Sequence, residues 1–324
     1  MQSSSRLEGD LEVRETGLRA PVVFIIFNRP ETTAQVFAEI AKAQPRQLLV
    51  VADGARAERA GEAELCQRAR AVVERVDWEC EVVKNYAEEN MGCRRRVASG
   101  LGWAFEQVEQ AIILEDDCLP HPTFFRFCEE MLEKYREDER VMTVCGDNYL
   151  FGRKRMPHSY FFHRIPGGWG WATWRRAWRH YDIEMKLWPT LRTTSWLKDI
   201  LGDARAVKYW RSIFDRTFAE GDEAGTWDYQ WVFSLWAQRG LAATASTNLI
   251  TNMGWGSDAT HTHDDDSVLA RIPTGAMNFP LRHPPYVSPD READRLIFEN
   301  IYLPEMLAEE SRWRRWLRRK TALV

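Results

Sequence analysis

Four short apolar runs in the first third of the chain each stop abruptly at polar or charged residues, with helical patterns between them. "PVVFIIF" (21–27) is continuous, β-branched and aromatic, the pattern of a strand buried on both faces, and it stops at Asn28-Arg29. "RQLLVVADGAR" stops at Asp53-Gly54, "CEVVKN" spans 80–85, and "AIILEDD" runs into Glu115-Asp116-Asp117. Between them, Pro30 suits a first helical turn ahead of Phe37, Ile40 and Ala41, and residues 62–76 read as a helix. A further helix carries Val97, Leu101, Ala104, Phe105 and Val108 at helical spacing. Strand-helix alternation predicts an α/β fold, a mostly parallel sheet flanked by helices in a Rossmann-like arrangement. Ligands of such sheets bind at the carboxyl ends of the strands, so the three polar stops are expected to converge on one crevice.

The pattern changes after residue 120. "PTFFRFCEEMLEKYRED" is an amphipathic helix, "RVMTVCGDN" a strand, and "HSYFFHRIPGGWGWATWRRAW" an aromatic segment broken by glycines. Residues 182–222 read as helical, a helix opens at Trp227-Asp228, and "LAATASTNLITNMGWGSDATHTHDDD" reads as a short strand and a polar loop. The first 20 residues read as a loosely attached leader, and there is no internal repeat.

Composition narrows the function classes. A net charge of −4 gives nucleic acid no bulk electrostatic attraction, and no partner of that kind is expected. The N-terminus is polar, without the apolar stretch of a signal peptide, and no apolar run is long enough to span a membrane. The six cysteines show no CxxC pair, which fits a reduced, cytoplasmic protein using them as small apolar residues. Fifteen tryptophans suit either core packing or flat faces for sugars.

Three adjacent acids at a strand end repel one another unless a cation or hydrogen-bond donors offset the repulsion. Either the strand ends in water, or a hard divalent cation, Mg2+ or Mn2+, sits there and bridges phosphate oxygens. Lys84 and Arg94-Arg95-Arg96 supply positive charge near the same edge, as a diphosphate cradle or as a solvated helix start. No Walker-type P-loop is present.

Taken together, these segments resemble the GT-A fold nucleotide-sugar glycosyltransferases, above all the inverting N-acetylglucosaminyltransferase I family, and also bacterial family 2-like transferases. Asn28-Arg29 matches the family's strand-end start. "GLGWAFEQV" (100–108) matches an "xxRWALxQVF"-like helix, and "IILEDDCLPHPTFFRF" (112–127) matches a "VVVEDDLxxxPDFFxYF" segment. "VCGDNYL" (144–150), "IPGGWGWAT" (165–173) and "TWDYQW" (226–231) then follow in the family's order. The likeness covers roughly residues 21–262 and departs from the eukaryotic enzymes in the C-terminal third.

The resemblance implies a catalytic domain over 21–262, with a nucleotide-binding half (21–120), an acceptor-binding half (121–262) and a C-terminal extension (263–324). It implies metal-dependent, inverting transfer from a nucleotide-sugar donor, UDP-linked, to a carbohydrate-type acceptor. Asp117 is the implied ligand of Mn2+ or Mg2+; Glu115 and Asp116 hold ribose hydroxyls or orient that ligand. Asp53 accepts from a uracil ring nitrogen, Asn28 and Arg29 reach the nucleotide, and Arg94 helps to hold the diphosphate.

Asp228, between Trp227 and Tyr229, is the implied base, with a simple helix cap as the alternative. Gly168 and Trp169 in "PGGWGW" offer close backbone approach and a stacking face for a sugar, with a tight turn over core aromatics as the plain alternative. Asp147 and Asn148 bind substrate hydroxyls or form an ordinary turn. His261 in "THTHDDD" adds a ligand to the metal, and the loop before it orders over bound nucleotide. In the tail, 311–320, Trp313 and Trp316 interleave with six Arg or Lys residues, the pattern of a segment lying on an anionic membrane or of a solvated basic helix. Two other classes stand beside this one: a sugar-nucleotide nucleotidyltransferase, whose glycine-rich loop is absent after "VVFIIF", and a non-catalytic carbohydrate-binding protein.

Overall fold

Val22–Ile26 (β1) is buried at every residue, which requires a central position in a sheet covered on both faces. In the computed structural model, which describes residues 17–255, 269 and 272–308, the sheet grows outward from that strand. Helix α1 (Pro30–Ala43) leads to β2 (Gln47–Ala52), α2 (Glu62–Val73) to β3 (Glu81–Tyr86), and α3 (Gly92–Gln107) to β4 (Gln110–Glu115). These four strands pair in parallel. Their side chains alternate between two cores: Val23, Ile25, Leu49, Val51 and Ile113 face α3, while Val22, Phe24, Leu48, Val50 and Ile112 enter the opposite core.

The second part extends the same sheet. It comprises β5 (Cys118–Pro120), α4 (Thr123–Lys134), β6 (Val141–Cys145), β7 (Tyr160–His163) and β8 (Trp171–Trp174). Helices α5 (Arg175–Trp178), α6 (Trp188–Leu191), α7 (Trp196–Leu201) and α8 (Ala204–Glu220) follow. A 3-10 turn (Gly221–Ala224) then joins α8 to α9 (Asp228–Ala237). Strands β9 (Leu241–Ala245) and β10 (Ile250–Asn252), α10 (Arg291–Ile297) and a π turn (Phe298–Tyr302) complete the order. The eight-stranded sheet runs β3-β2-β1-β4-β8-β6-β9-β7, with β8 antiparallel to both its neighbours and β7 antiparallel at the edge. β5 and β10 pair separately as a two-stranded ribbon.

Several local expectations change. The aromatic segment folds into β7 and β8, because its bulky residues pack well on a pleated surface. The stretch 182–222 is three helices: α6 ends before a Thr-rich turn, and Gly202 in a positive-φ conformation precedes Asp203, whose carboxylate caps α8. Val108 caps α3 in extended conformation and is not part of it. Residues 17–20, expected in the loose leader, are attached: Leu18 is buried and its amide donates to Ala43 O at 3.0 Å. Six tryptophans (Trp171, Trp174, Trp188, Trp210, Trp231, Trp236) are fully buried, so packing is the main use of this residue. Among the described residues, all six cysteines are free and no helix is long and apolar enough to cross a membrane.

Candidate functional site

Parallel pairing brings the carboxyl ends of β1, β2 and β4 to one edge of the sheet. The Phe27 amide donates to Asp116 Oδ2 at 2.8 Å, tying the end of β1 to the acidic triplet. Arg29 Nη1 donates to Asp117 Oδ2 at 2.5 Å and lies 3.9 Å from Asp116 Oδ1. Asn28 donates from Nδ2 to Glu62 Oε1 at 2.9 Å, and Glu62, 4% exposed, also grips the Arg56 guanidinium. Burial, then repulsion from Asp117, pushes both Glu115 and Asp116 above the usual carboxylate range.

Asp117 is held from the other side by the β5–β10 ribbon. Its carbonyl accepts from Met253 N at 2.7 Å, and Cys118 Sγ donates to its Oδ1 at 3.4 Å. A Cβ on Gly254 would lie 2.1 Å from Asp117 Oδ2, so only glycine lets this segment cross the carboxylate. Among the described residues, no three His, Cys, Asp or Glu side chains form a ready-made metal cage. A hard cation such as Mg2+ is commonly held by one or two carboxylates, with substrate phosphates and water completing its shell. Asp117 beside two further acids, with Arg29 as the cation at hand, fits that arrangement.

Asp53 behaves differently. Its Oδ1 accepts from Gly54 N and Met91 N, both at 2.9 Å, and its Oδ2 accepts from Gly92 N at 3.0 Å and Asn90 Nδ2 at 3.1 Å. A carboxylate has about four acceptor positions, and all four meet protein donors here. Asp53 thus anchors the start of α3, and a nucleobase meets it only by displacing one of them.

The facing wall comes from the second part of the sheet. Asp147, 2% exposed at the end of β6, accepts from Tyr149 Oη at 2.7 Å and Trp169 N at 3.0 Å. Its Oδ1 is buried without a partner, and burial pushes its pKa up to about 6. A Cβ on Gly167 would lie 2.0 Å from that oxygen, which explains the first glycine of "PGGWGW". Asn148 is spent on structure: Nδ2 donates to Ala245 O at 2.7 Å and Oδ1 accepts from Leu150 N at 2.9 Å. Gly168 lies over Trp227, whose ring stacks on Trp171 with centroids 5.4 Å apart at 19°. Trp169 is half-buried, its ring edge-on to Tyr149 and Trp255.

Asp228 opens α9 and is exposed. Its charge reaches the triplet, since repulsion from Asp228 adds to the burial that raises Glu115. Cys93 lies between the walls: burial first, then Glu115, Asp228, Asp117 and Asp53, all push its thiol up. Arg94, by contrast, turns away from the triplet toward Asp222 and the carbonyl of Ile183. His261 and the 311–320 tail lie outside the described residues.

Four contributors went unseen in the sequence. Glu62 and Arg56 brace the nucleotide-side wall. Tyr302 packs its ring on Tyr209 and Trp210 and is pushed far above its ordinary pKa by burial, with Tyr229, Asp228, Glu305 and Asp147 adding to the shift. Glu305 accepts from Tyr209 Oη at 2.8 Å. Nothing in local spacing announces a tyrosine and a glutamate so far along the chain.

No protein-family profile matches the chain, and no curated protein matches it. Among solved structures it is similar to a UDP-glucose pyrophosphorylase complexed with UDP-glucose, at 11% identity and a TM-score of 0.24, over 40% of this chain and 56% of that one. It is also similar to the inositol-1-phosphate CTP transferase from T. maritima, at 11% identity and a TM-score of 0.35, over 88% of this chain and 99% of that one. The chain thus spans little more than half the length of the first, and at these scores neither likeness bears on function.

Proposed function

We propose that this protein is a glycosyltransferase that moves a sugar from a nucleoside-diphosphate donor, UDP-linked, to a hydroxyl of a carbohydrate-type acceptor, with inversion. The reading is carried by one observation: a strand-end triplet of acids, with Arg29 on Asp117, stands within electrostatic reach of an exposed carboxylate, Asp228, that opens α9. One wall suits a nucleoside diphosphate and the other a hydroxyl nucleophile. In this reading Asp228 takes the acceptor proton as the acceptor oxygen bonds to the anomeric carbon and the carbon–oxygen bond to the diphosphate breaks.

Asp117, with His261, would hold Mn2+ or Mg2+, which when bound would supply positive charge for the departing diphosphate. Arg29, which donates to Asp117, would reach the phosphates as well. Glu115 and Asp116 take ribose hydroxyls. Asp147, with an unpartnered buried oxygen, accepts from a sugar hydroxyl, and Trp169 offers it a partly exposed ring, whereas the Trp227 ring is committed to Trp171.

Calorimetric titration of UDP and GDP, with and without Mn2+, on wild type and Asp117→Ala tests the reading. Metal-dependent UDP binding that the variant loses is expected, followed by a product of inverted anomeric configuration by NMR. Failure of both nucleotides to bind under every metal condition would remove the transferase reading.

A further inference from the structure

We infer that Arg94 is a positioning residue for Asp228 and not a ligand of the donor diphosphate; the inference rests on the transferase reading for the task of Asp228. Arg94 lies in the first turn of α3, directly after Cys93, yet its side chain turns inward and is 4% exposed. Its Nη1 donates to Asp222 Oδ1, and its Nη2 donates to Ile183 O at 2.7 Å and Glu184 Oε1 at 3.3 Å. Arg95 takes the other oxygen of Asp222. A phosphate could reach the Arg94 fork only by displacing a carboxylate that already neutralises it.

Both arms of the fork lead to the same place. Asp222 belongs to the 3-10 turn Gly221–Ala224, closed by Gly225 N on Asp222 O at 3.2 Å, and the chain then runs directly through Thr226 and Trp227 to Asp228. Ile183 and Glu184 follow Tyr181, whose Oη donates to Trp227 O at 3.1 Å. The Asp182 amide donates to Ser234 Oγ on α9 at 3.1 Å. Arg94 therefore clamps the segment before Asp228 and the loop that holds the carbonyl of Trp227. The clamp starts from the end of α3 that Asp53 fixes to β2. It sets the distance between the two walls, and a planar fork with three fixed acceptors does so better than a flexible ammonium.

The test compares wild type, Arg94→Met, Arg94→Lys, Asp222→Asn and the Arg94→Met/Asp222→Asn pair. Three quantities are read: amide hydrogen exchange over 221–231, UDP affinity in Mn2+, and release of UDP from UDP-N-acetylglucosamine or UDP-glucose with water standing in for the acceptor. The expected result is exchange faster by tenfold or more, UDP affinity within about twofold of wild type, and kcat lower on the order of 10²-fold, as for a misplacement of about 1 Å. Arg94→Lys should fare no better than Arg94→Met, and the pair should equal either single variant. UDP binding weakened by Arg94→Met and restored by Arg94→Lys would mark a phosphate ligand and overturn the inference. So would unchanged exchange over 221–231 in Arg94→Lys and Asp222→Asn, the mildest variants. If wild type releases no UDP from either donor, the exchange and UDP-affinity data decide the clamp, while UDP binding by wild type decides the transferase reading.

Discussion

The two walls of the crevice hold their acids by different physics. On the nucleotide side, Glu115, Asp116 and Asp117 stand in sequence at a strand end, and Glu115 and Asp116 are raised by burial first and then by repulsion from Asp117. On the facing side, Asp147 stands alone among aromatic rings and is raised by burial against its own hydrogen bonds. The first arrangement calls for a cation; the second calls for a hydroxyl donor. Support differs too, since strand ends and one arginine hold the first wall, whereas stacked tryptophans and side-chain bonds across distant segments hold the second.

The sharpest way to separate the walls is Asp228→Asn. UDP release should fall by about 10³-fold, within the range for loss of a general base, while UDP affinity stays unchanged. A fall in both would merge the two walls into one binding site. Asp117→Ala should do the reverse, weakening Mn2+-dependent UDP binding on the order of 10²-fold by calorimetry, since the cation loses its direct carboxylate.

Acid–base linkage gives a smaller and independent contrast. Asp147 has a pKa of about 6 in the folded chain against 3.8 for the free side chain. The folded state therefore binds more protons than the unfolded state between those values, and Asp147 costs stability as pH rises through that window. Urea unfolding of Asp147→Asn should show a shallower loss from about pH 4 to pH 6, by roughly 2–3 kcal/mol, from a shift of about two pKa units. An unaltered slope would mean that the buried oxygen is solvated. Smallest is Tyr181→Phe, which removes the hydroxyl on Trp227 O. A loss of about 1 kcal/mol in urea unfolding is expected, together with a fewfold drop in UDP release and none in UDP affinity.

The strand ends were legible because a strand's burial pattern and a helix's period are local: β1, α1, β2, α2, β3 and β4 lie close to where the apolar runs and Pro30 put them. β5, β7 and β8 were not, for "CLP" is too short to show alternation, and aromatic runs suit strand and turn alike. At the site, the sequence marked Asp53 and Arg94 as polar residues near the crevice but not their orientation. Asp53 is filled by donors from the next loop but one, and Arg94 pairs with an acid 128 residues away.

The sequence by itself determined an α/β sheet with acids at its carboxyl edge, since periodicity and the stops of apolar runs need no knowledge of distant residues. Only the tertiary structure decided which of those acids are already satisfied by protein donors, as Asp53 is, and which are left to repel one another. Those outcomes depend on pairings between segments far apart in the chain, and each pairing is set by how helices pack across the sheet rather than by any local pattern.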